Sequence, residues 1–309
     1  MKLFLFFLLA YISKAFCILQ YPLLLPQGEL EALMANTGAA LKGSTGGVIY
    51  NPASLSEIQG SKVNAGVNTY NFIDSQNVTD QGVKSFNTFT PIPTTLFYGT
   101  KFGSSFLALS IIIPESLKVN SRFVVDQSTS GDVSGNLVFS ETSEEQLINI
   151  SWASHLSENF SLGISGTYYV FSEESTSAYI AQGAAGTESK TLQQSLKVSN
   201  LLLNLGIQHT VSPVFTWGLT AKSPSKKLSG SGNIFTETLD SSSGTPVKEE
   251  NDYSTNHDIP WDFILGLNLN SSIKSHFFID IGYQLAEEFD AYSGLNTSKN
   301  QMEFKNQGR

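Results

Sequence analysis

Apolar and polar residues alternate along much of this chain. The alternation is punctuated by short polar turns at Gly103-Ser104, Ser157-Glu158-Asn159, Ser212-Pro213 and Ser271-Ser272, about 55 residues apart. Phe160, Leu162, Ile164, Gly166, Tyr168 and Val170 stand against Ser161, Gly163, Ser165 and Thr167. Leu201, Leu203, Leu205 and Ile207 repeat the pattern, as do Phe215, Trp217, Leu219 and Ala221. It returns at Trp261, Phe263, Leu265, Leu267 and Leu269, and at Phe277, Ile279, Ile281, Tyr283 and Leu285. A period of two puts one apolar face on each strand. The expected strands are 62–72, 85–102, 105–115, 145–156, 160–172, 195–211, 214–223, 259–270 and 274–286, with a tenth starting at Gln301-Met302-Glu303-Phe304.

The remaining connections, 73–84, 116–144, 173–194, 224–258 and 287–300, are longer, polar and Ser-rich. Segment 116–144 can extend its neighbouring strands, because Lys118-Val119-Asn120-Ser121-Arg122-Phe123 still alternates, and Ser229 to Asp240 can do the same. Strands of roughly 9–11 residues, joined by short turns at one end and long loops at the other, are the pattern of a transmembrane antiparallel β-barrel. A soluble sandwich also buries one face of each strand, but its strands run to about 5–6 residues. With residues 1–61 on the periplasmic side, every short turn is periplasmic and every long loop extracellular. Tyr168, Tyr169, Phe171, Trp217, Trp261 and Tyr283 fall near strand ends, where an interfacial girdle would sit.

Composition narrows the function. Charged residues make up only 15% and the formal net charge is −9, with no Lys/Arg-rich stripe to neutralise phosphates, so a nucleic-acid partner is excluded. Residues 1–17 read as an export signal: Lys2 at the start, an apolar run from Leu3 to Ile12, then Ser13-Lys14-Ala15 as a cleavage site. No apolar stretch approaches the ~20 residues of a membrane helix, so a spanning chain of this composition must cross with strands. Cys17 is the single cysteine, so no intrachain disulfide forms; it is either a lipid-modified first residue or the edge of a discarded signal.

Between signal and strands, Leu30, Leu33, Met34, Thr37 and Leu41 share one face of an expected short helix ending near Gly43. Gly43-Ser44-Thr45-Gly46-Gly47 reads as a flexible turn without the Lys-Ser/Thr ending of a phosphate loop. Asn51-Pro52 is suited to open a helix, Asn51 as cap and Pro52 at the first position, with Leu55 and Ile58 on its buried side.

The block Gly43 to Ile58, centred on Val48-Ile49-Tyr50-Asn51-Pro52-Ala53-Ser54-Leu55, resembles the N-terminal stretch of the outer-membrane long-chain fatty acid transporter family, which includes aromatic-hydrocarbon uptake proteins. Pro91-Ile92-Pro93 before Tyr98, Ile111-Ile112-Ile113-Pro114, Ser151-Trp152-Ala153, Leu162-Gly163-Ile164, Ile259-Pro260-Trp261 and Leu265-Gly266-Leu267 look like further landmarks of it. The resemblance implies an all-β, fourteen-stranded barrel with an N-terminal helical plug, or hatch, folded inside, in a bacterial outer membrane. The expected organisation is a signal peptide at 1–17, a plug at 18–61 and a barrel at 62–309. About nine or ten strands are present of the implied fourteen, which points to a chain incomplete at its C-terminal end or closing with an irregular last strand.

The resemblance also implies passive uptake of long-chain fatty acids or similar hydrophobic molecules, with no cofactor and no hydrolysis. The motif residues are Asn51, Pro52 and Ala53. Leu30, Leu33 and Met34 either line an apolar pocket or simply pack against the lumen. Pro114 either kinks a strand for a lateral exit or ends it at the rim. Lys118 and Arg122 either meet a carboxylate headgroup or are solvated charges. The competing readings are a surface or assembly barrel that binds a protein partner, and a secreted soluble β-sandwich. Catalysis is disfavoured: His155, His209, His257 and His276 have no metal-ligand spacing, and no Gly-x-Ser-x-Gly elbow occurs. Glu249-Glu250, Asp252 and Asp258 read as an acidic solvated surface without a calcium-loop pattern.

Overall fold

The computed structural model describes residues 28, 30–31, 37–68, 72–79, 82–89, 92–114, 116–127, 133–183, 186–240, 246–272, 275–285, 287–290, 292–293, 301–304 and 307–308. The expected signal segment, Cys17, Leu33 and Met34 lie outside them.

The chain enters with two short 3-10 turns, Thr45–Val48 and Pro52–Glu57. The strands follow as β1 Ser61–Asn68, β2 Phe72–Thr79, β3 Gly82–Phe89, β4 Ile92–Phe102, β5 Ser105–Ile112, β6 Ser116–Gln127, β7 Val133–Ser157, β8 Phe160–Gly183 and β9 Gly186–Ser212. The second half holds β10 Phe215–Lys222, β11 Lys226–Asp240, β12 Val247–Thr255, β13 Asp262–Ser272, β14 Ser275–Gln284, β15 Glu287–Asp290, β16 Tyr292–Ser293, β17 Gln301–Phe304 and β18 Gln307–Gly308. One sheet runs in the order β1-β4-β5-β7-β8-β9-β10-β13-β14-β18, with β6 on β7, β11 on β9 and β12 on β11. Two further ladders, β2–β3 and β15–β17, stand apart from it. Among the described residues β1 and β18 do not pair with each other, so the sheet is curved but not closed.

The sheet is apolar outside, and along β9 and β13 its inner face is largely polar. On β9 the outward Leu201, Leu203 and Leu205 are exposed, whereas the intervening Asn200 and Asn204, and Gln208 further along, are buried. The same inversion holds on β13, where Phe263, Leu265 and Leu269 are exposed and Asp262 and Asn268 buried. Leu107, Leu109 and Ile111 of β5 and Phe277, Ile279, Ile281 and Tyr283 of β14 continue the outer band. On β9 it spans 201–211, about the length a tilted strand needs to cross a bilayer.

Three expected loops are largely strand. Segment 116–144 holds β6 and the start of β7, 173–194 is the β8–β9 ladder, and 224–258 holds β11 and β12. The expected loop 73–84 is mostly the β2–β3 hairpin. Segments 116–144 and Ser229 to Asp240 extend their neighbouring strands, as their continuing alternation allowed, whereas in 173–194 the ladder persists without a regular hydropathy alternation.

Of the expected helix from Leu30 to Leu41, residues 32–36, with Leu33 and Met34, lie outside the described residues. Leu30 and Glu31 form a turn, as do Ala39 and Ala40, and no described residue of that stretch is helical. Two carbonyls of this stretch accept from side chains, Ala39 O from Asn51 and Leu41 O from Gln208. Gly43-Ser44-Thr45-Gly46-Gly47 is likewise no flexible turn. Ser44 caps the first 3-10 turn through Gly46 N, and Ser44 to Gly47 are all buried.

Candidate functional site

Residues 37–58 lie inside the curve of the sheet and form the candidate site with its inner wall. This segment makes little regular structure, so its backbone groups must find partners on the wall, because unsatisfied buried amides and carbonyls are costly. Asn204 Nδ2 donates to Ile49 O at 2.9 Å, Gln208 Nε2 to Leu41 O at 3.0 Å and Thr220 Oγ1 to Tyr50 O at 2.7 Å. Asp280 accepts from Gly38 N and Ala39 N at 2.8 and 3.0 Å. His155 Nε2 donates to Ser56 O at 3.0 Å, and Ser56 Oγ donates to Ser161 Oγ at 2.9 Å. Asn64 of β1 reaches Thr45 Oγ1 at 2.9 Å, so the segment is held by the first strand and by β14 alike.

Asn51 is the centre of this network. Its Oδ1 accepts from Ala53 N at 3.1 Å, capping the turn that Pro52 opens, while Nδ2 donates to Ala39 O at 2.6 Å and Ile207 O at 3.0 Å. Glycines let the backbone lie directly on the wall. A Cβ at Gly206 would come within 2.1 Å of Asn51 Oδ1, at Gly163 within 2.3 Å of Pro52 C, and at Gly218 within 1.8 Å of Ala39 O. The opposite side of the segment is apolar: Val48, Ile49, Tyr50, Leu55 and Ile58 pack on Phe97, Phe106, Ala108, Ile112 and Ala153.

Above this contact is a half-open, mainly apolar cavity of about 80 Å³. Val48 and Ile49 form its inner side, Leu147, Thr167, Tyr169 and Leu202 its wall, and Pro114 and Ile259 lie at irregular points of the sheet. Two polar pairs stand at its margin. Tyr169 Oη donates to Glu145 at 2.8 Å, and Lys222 Nζ lies 3.6 Å from the Asp262 carboxylate.

Pro114 is buried beside an interruption of the ladder. Ile112 pairs with Leu147 and Ser116 with Glu144, so β5 and β6 together spend one residue more than β7 between these pairs, the signature of a bulge. The second irregularity is a strap, residues 256–261, between β12 and β13. It turns inward: the His257 ring stacks on Tyr169 and Phe171 with centroids 5.7 and 5.0 Å apart, and Asn200 Nδ2 donates to His257 O. Burial lowers the His257 pKa to about 4.

Of the sequence candidates, Asn51, Pro52 and Ala53 sit at the heart of the network and Pro114 on the cavity. Leu30 lies in a turn ahead of residues 37–58, whose cavity-lining residues are Val48 and Ile49. Lys118 and Arg122 take register positions in β6 opposite Thr142 and Val138. Sequence reasoning missed Asn204, Gln208, Thr220 and Asp280 as holders of the plug; their signal was a polar residue on the inward face of an otherwise apolar strand. Among the described residues no group of three His, Cys, Asp or Glu gathers as a metal site.

No family model matches the chain, and no curated protein matches it. Solved structures do. The toluene transporter TodX of P. putida aligns with a TM-score of 0.62 at 12% identity, over 89% of this chain and 77% of that one. The monoaromatic hydrocarbon channel CymD aligns with a TM-score of 0.56 at 15% identity, over 91% of this chain and 75% of that one. The chain therefore has the fold of these channels.

Proposed function

We propose that the protein is an outer-membrane channel through which hydrophobic small molecules pass down their gradient, without cofactor or chemistry. The observation that carries this reading is an apolar cavity between an inserted plug and the wall of an inside-out sheet, bordered by a break in that wall at Pro114. An apolar band this extensive needs an apolar surrounding, which lipid provides. The fold shared with TodX and CymD, named for toluene and monoaromatic hydrocarbons, supports the same conclusion.

Pro114 is the proposed kink: without an N–H it cannot restore the ladder, which leaves a lateral route from cavity to membrane. The cation on the cavity margin, Lys222, faces the Asp262 carboxylate, so the lining favours uncharged guests over carboxylates. Contact of a fatty-acid headgroup with Lys118 or Arg122 is the alternative for charged guests.

The test is uptake of labelled toluene and oleate by a Gram-negative host lacking such a channel, with membrane insertion checked by heat-modifiable migration. Toluene uptake above background supports the reading, and oleate uptake that depends on Lys118 and Arg122 supports the charged-guest version. An inserted, folded protein that admits neither sinks it.

A further inference from the structure

Along β9 three buried amides face the interior at every fourth position, Asn200, Asn204 and Gln208. Each gives its NH2 group to a carbonyl of the segments inside: Asn200 to His257 O, Asn204 to Ile49 O at 2.9 Å and Gln208 to Leu41 O at 3.0 Å. A carbonyl only accepts, so these bonds fix which end of each amide is nitrogen and leave its oxygen for another partner. None of the three amide oxygens meets a donor among the described residues, and each lies out of reach of bulk solvent. A buried acceptor without a donor is costly, so the site favours whatever brings one.

Of the three, Asn204 is the one that lines the cavity. The hydroxyls of the lining are already spent: Thr167 Oγ1 donates to Asn149 at 2.6 Å and Tyr169 Oη to Glu145 at 2.8 Å. Asn149 in turn gives its Nδ2 to Ser110 at 3.1 Å, and the Lys222 ammonium faces Asp262. The rest of the lining is mostly aliphatic. The cavity of about 80 Å³ is roughly half the ~150 Å³ that takes up benzene, so a single ring enters by parting the lining. Ile49 and Asn204, joined by one hydrogen bond, are both part of what it parts. The Asn204 oxygen is then the acceptor that the guest meets.

We infer that the preferred guest is an uncharged monoaromatic carrying one hydroxyl, of the phenol class, whose O–H donates to Asn204 Oδ1. This guest chemistry rests on the channel reading given under the proposed function and narrows its cargo. An apolar pocket with a few placed polar groups orients its ligand through them. A plain hydrocarbon leaves the amide oxygen unpaired, whereas a hydroxyl satisfies it. A carboxylate offers only acceptors and brings no proton to give.

The test is equilibrium binding by calorimetry to the full chain in lipid nanodiscs, corrected for empty discs, with p-cresol, its methyl ether p-methylanisole, and toluene. All three share the ring and its methyl group, but only p-cresol carries a donor. The parent is expected to bind p-cresol about tenfold more tightly than either of the others. Asn204→Leu is expected to bring the three within about twofold of one another, whereas Gln208→Leu, which cuts a comparable tie to the plug away from the cavity, keeps the preference. Heat-modifiable migration checks that each variant is folded. Equal affinities in the parent, no binding of p-cresol, or a preference that survives Asn204→Leu overturns the hydroxyl guest. The parent comparison decides this even where Asn204→Leu does not fold. Toluene uptake without a cresol preference leaves the channel standing and sinks only the hydroxyl guest. Selective cresol binding by an inserted protein that admits no guest keeps the site and sinks the channel.

Discussion

Asn204 and Ile49 are 155 positions apart, yet the Asn204 side-chain amide donates to the Ile49 carbonyl at 2.9 Å. That bond shows how the interior works: the wall supplies donors to a plug segment that keeps few of its carbonyls for itself. It also explains why inward polar residues on β8, β9 and β10 are tolerated beside apolar outer faces.

Asn51 should be the most sensitive residue of the plug. Asn51→Ala removes a cap worth about 1 kcal/mol and orphans two carbonyls at about 1–3 kcal/mol each. Asn51→Asp keeps the acceptor for Ala53 N but sets a buried carboxylate oxygen against the Ala39 and Ile207 carbonyls, so it should be at least as disruptive as Asn51→Ala. Trypsin cleavage within the plug, at unchanged heat-modifiable migration of the barrel, measures the order of the three.

Contact between plug and wall should depend on the missing side chains. Gly206→Ala would place a Cβ 2.1 Å from Asn51 Oδ1, and Gly163→Ala one 2.3 Å from Pro52 C, so both should displace the plug and raise single-channel conductance. Gly166→Ala meets nothing within 4 Å and should leave conductance unchanged. Identical conductance in all three would mean the plug does not rest on this wall.

The outer band separates a lipid-facing sheet from a water-facing one. Leu205→Arg at an exposed position should cost about 2–4 kcal/mol in urea unfolding from bilayers, the range for a cation near the membrane midplane. On a soluble sheet the same exposed substitution would change stability by roughly 0.5 kcal/mol at most.

Docking of the strap should weaken in acid. A free imidazole titrates near 6.5, whereas burial against Tyr169 and Phe171 lowers His257 to about 4. Between these values the released strap binds a proton that the docked one does not. The contribution is therefore complete above about 6.5 and is lost as pH falls toward the lowered value. Proteolysis at the strap should rise from neutral pH to about 4.5, and His257→Phe should remove the His257-linked part of that rise. Burial also raises the Asp258 carboxyl above its ordinary range, so the comparison with His257→Phe isolates the ring.

Strands inside the apolar band were legible because one face is apolar and the other is not. The 173–194 stretch was not, since Glu173, Glu174 and Ser175 break the apolar alternation and only the backbone ladder marks the strand. Leu30, Leu33, Met34, Thr37 and Leu41 carried a helical period, but the described residues at its two ends, Leu30-Glu31 and Ala39-Ala40, form turns.

The sequence by itself determined the two-residue period, the short turns and the Asn51-Pro52 cap, because each depends on neighbours within a few residues. Only the tertiary structure decided that Asn51 also bonds Ile207 O, that Gly163, Gly206 and Gly218 form a bed for the plug, and that His257 stacks on Tyr169 and Phe171 of β8. Those features depend on which strands the curvature of the sheet brings across from one another. Local propensity and hydropathy do not encode that distance.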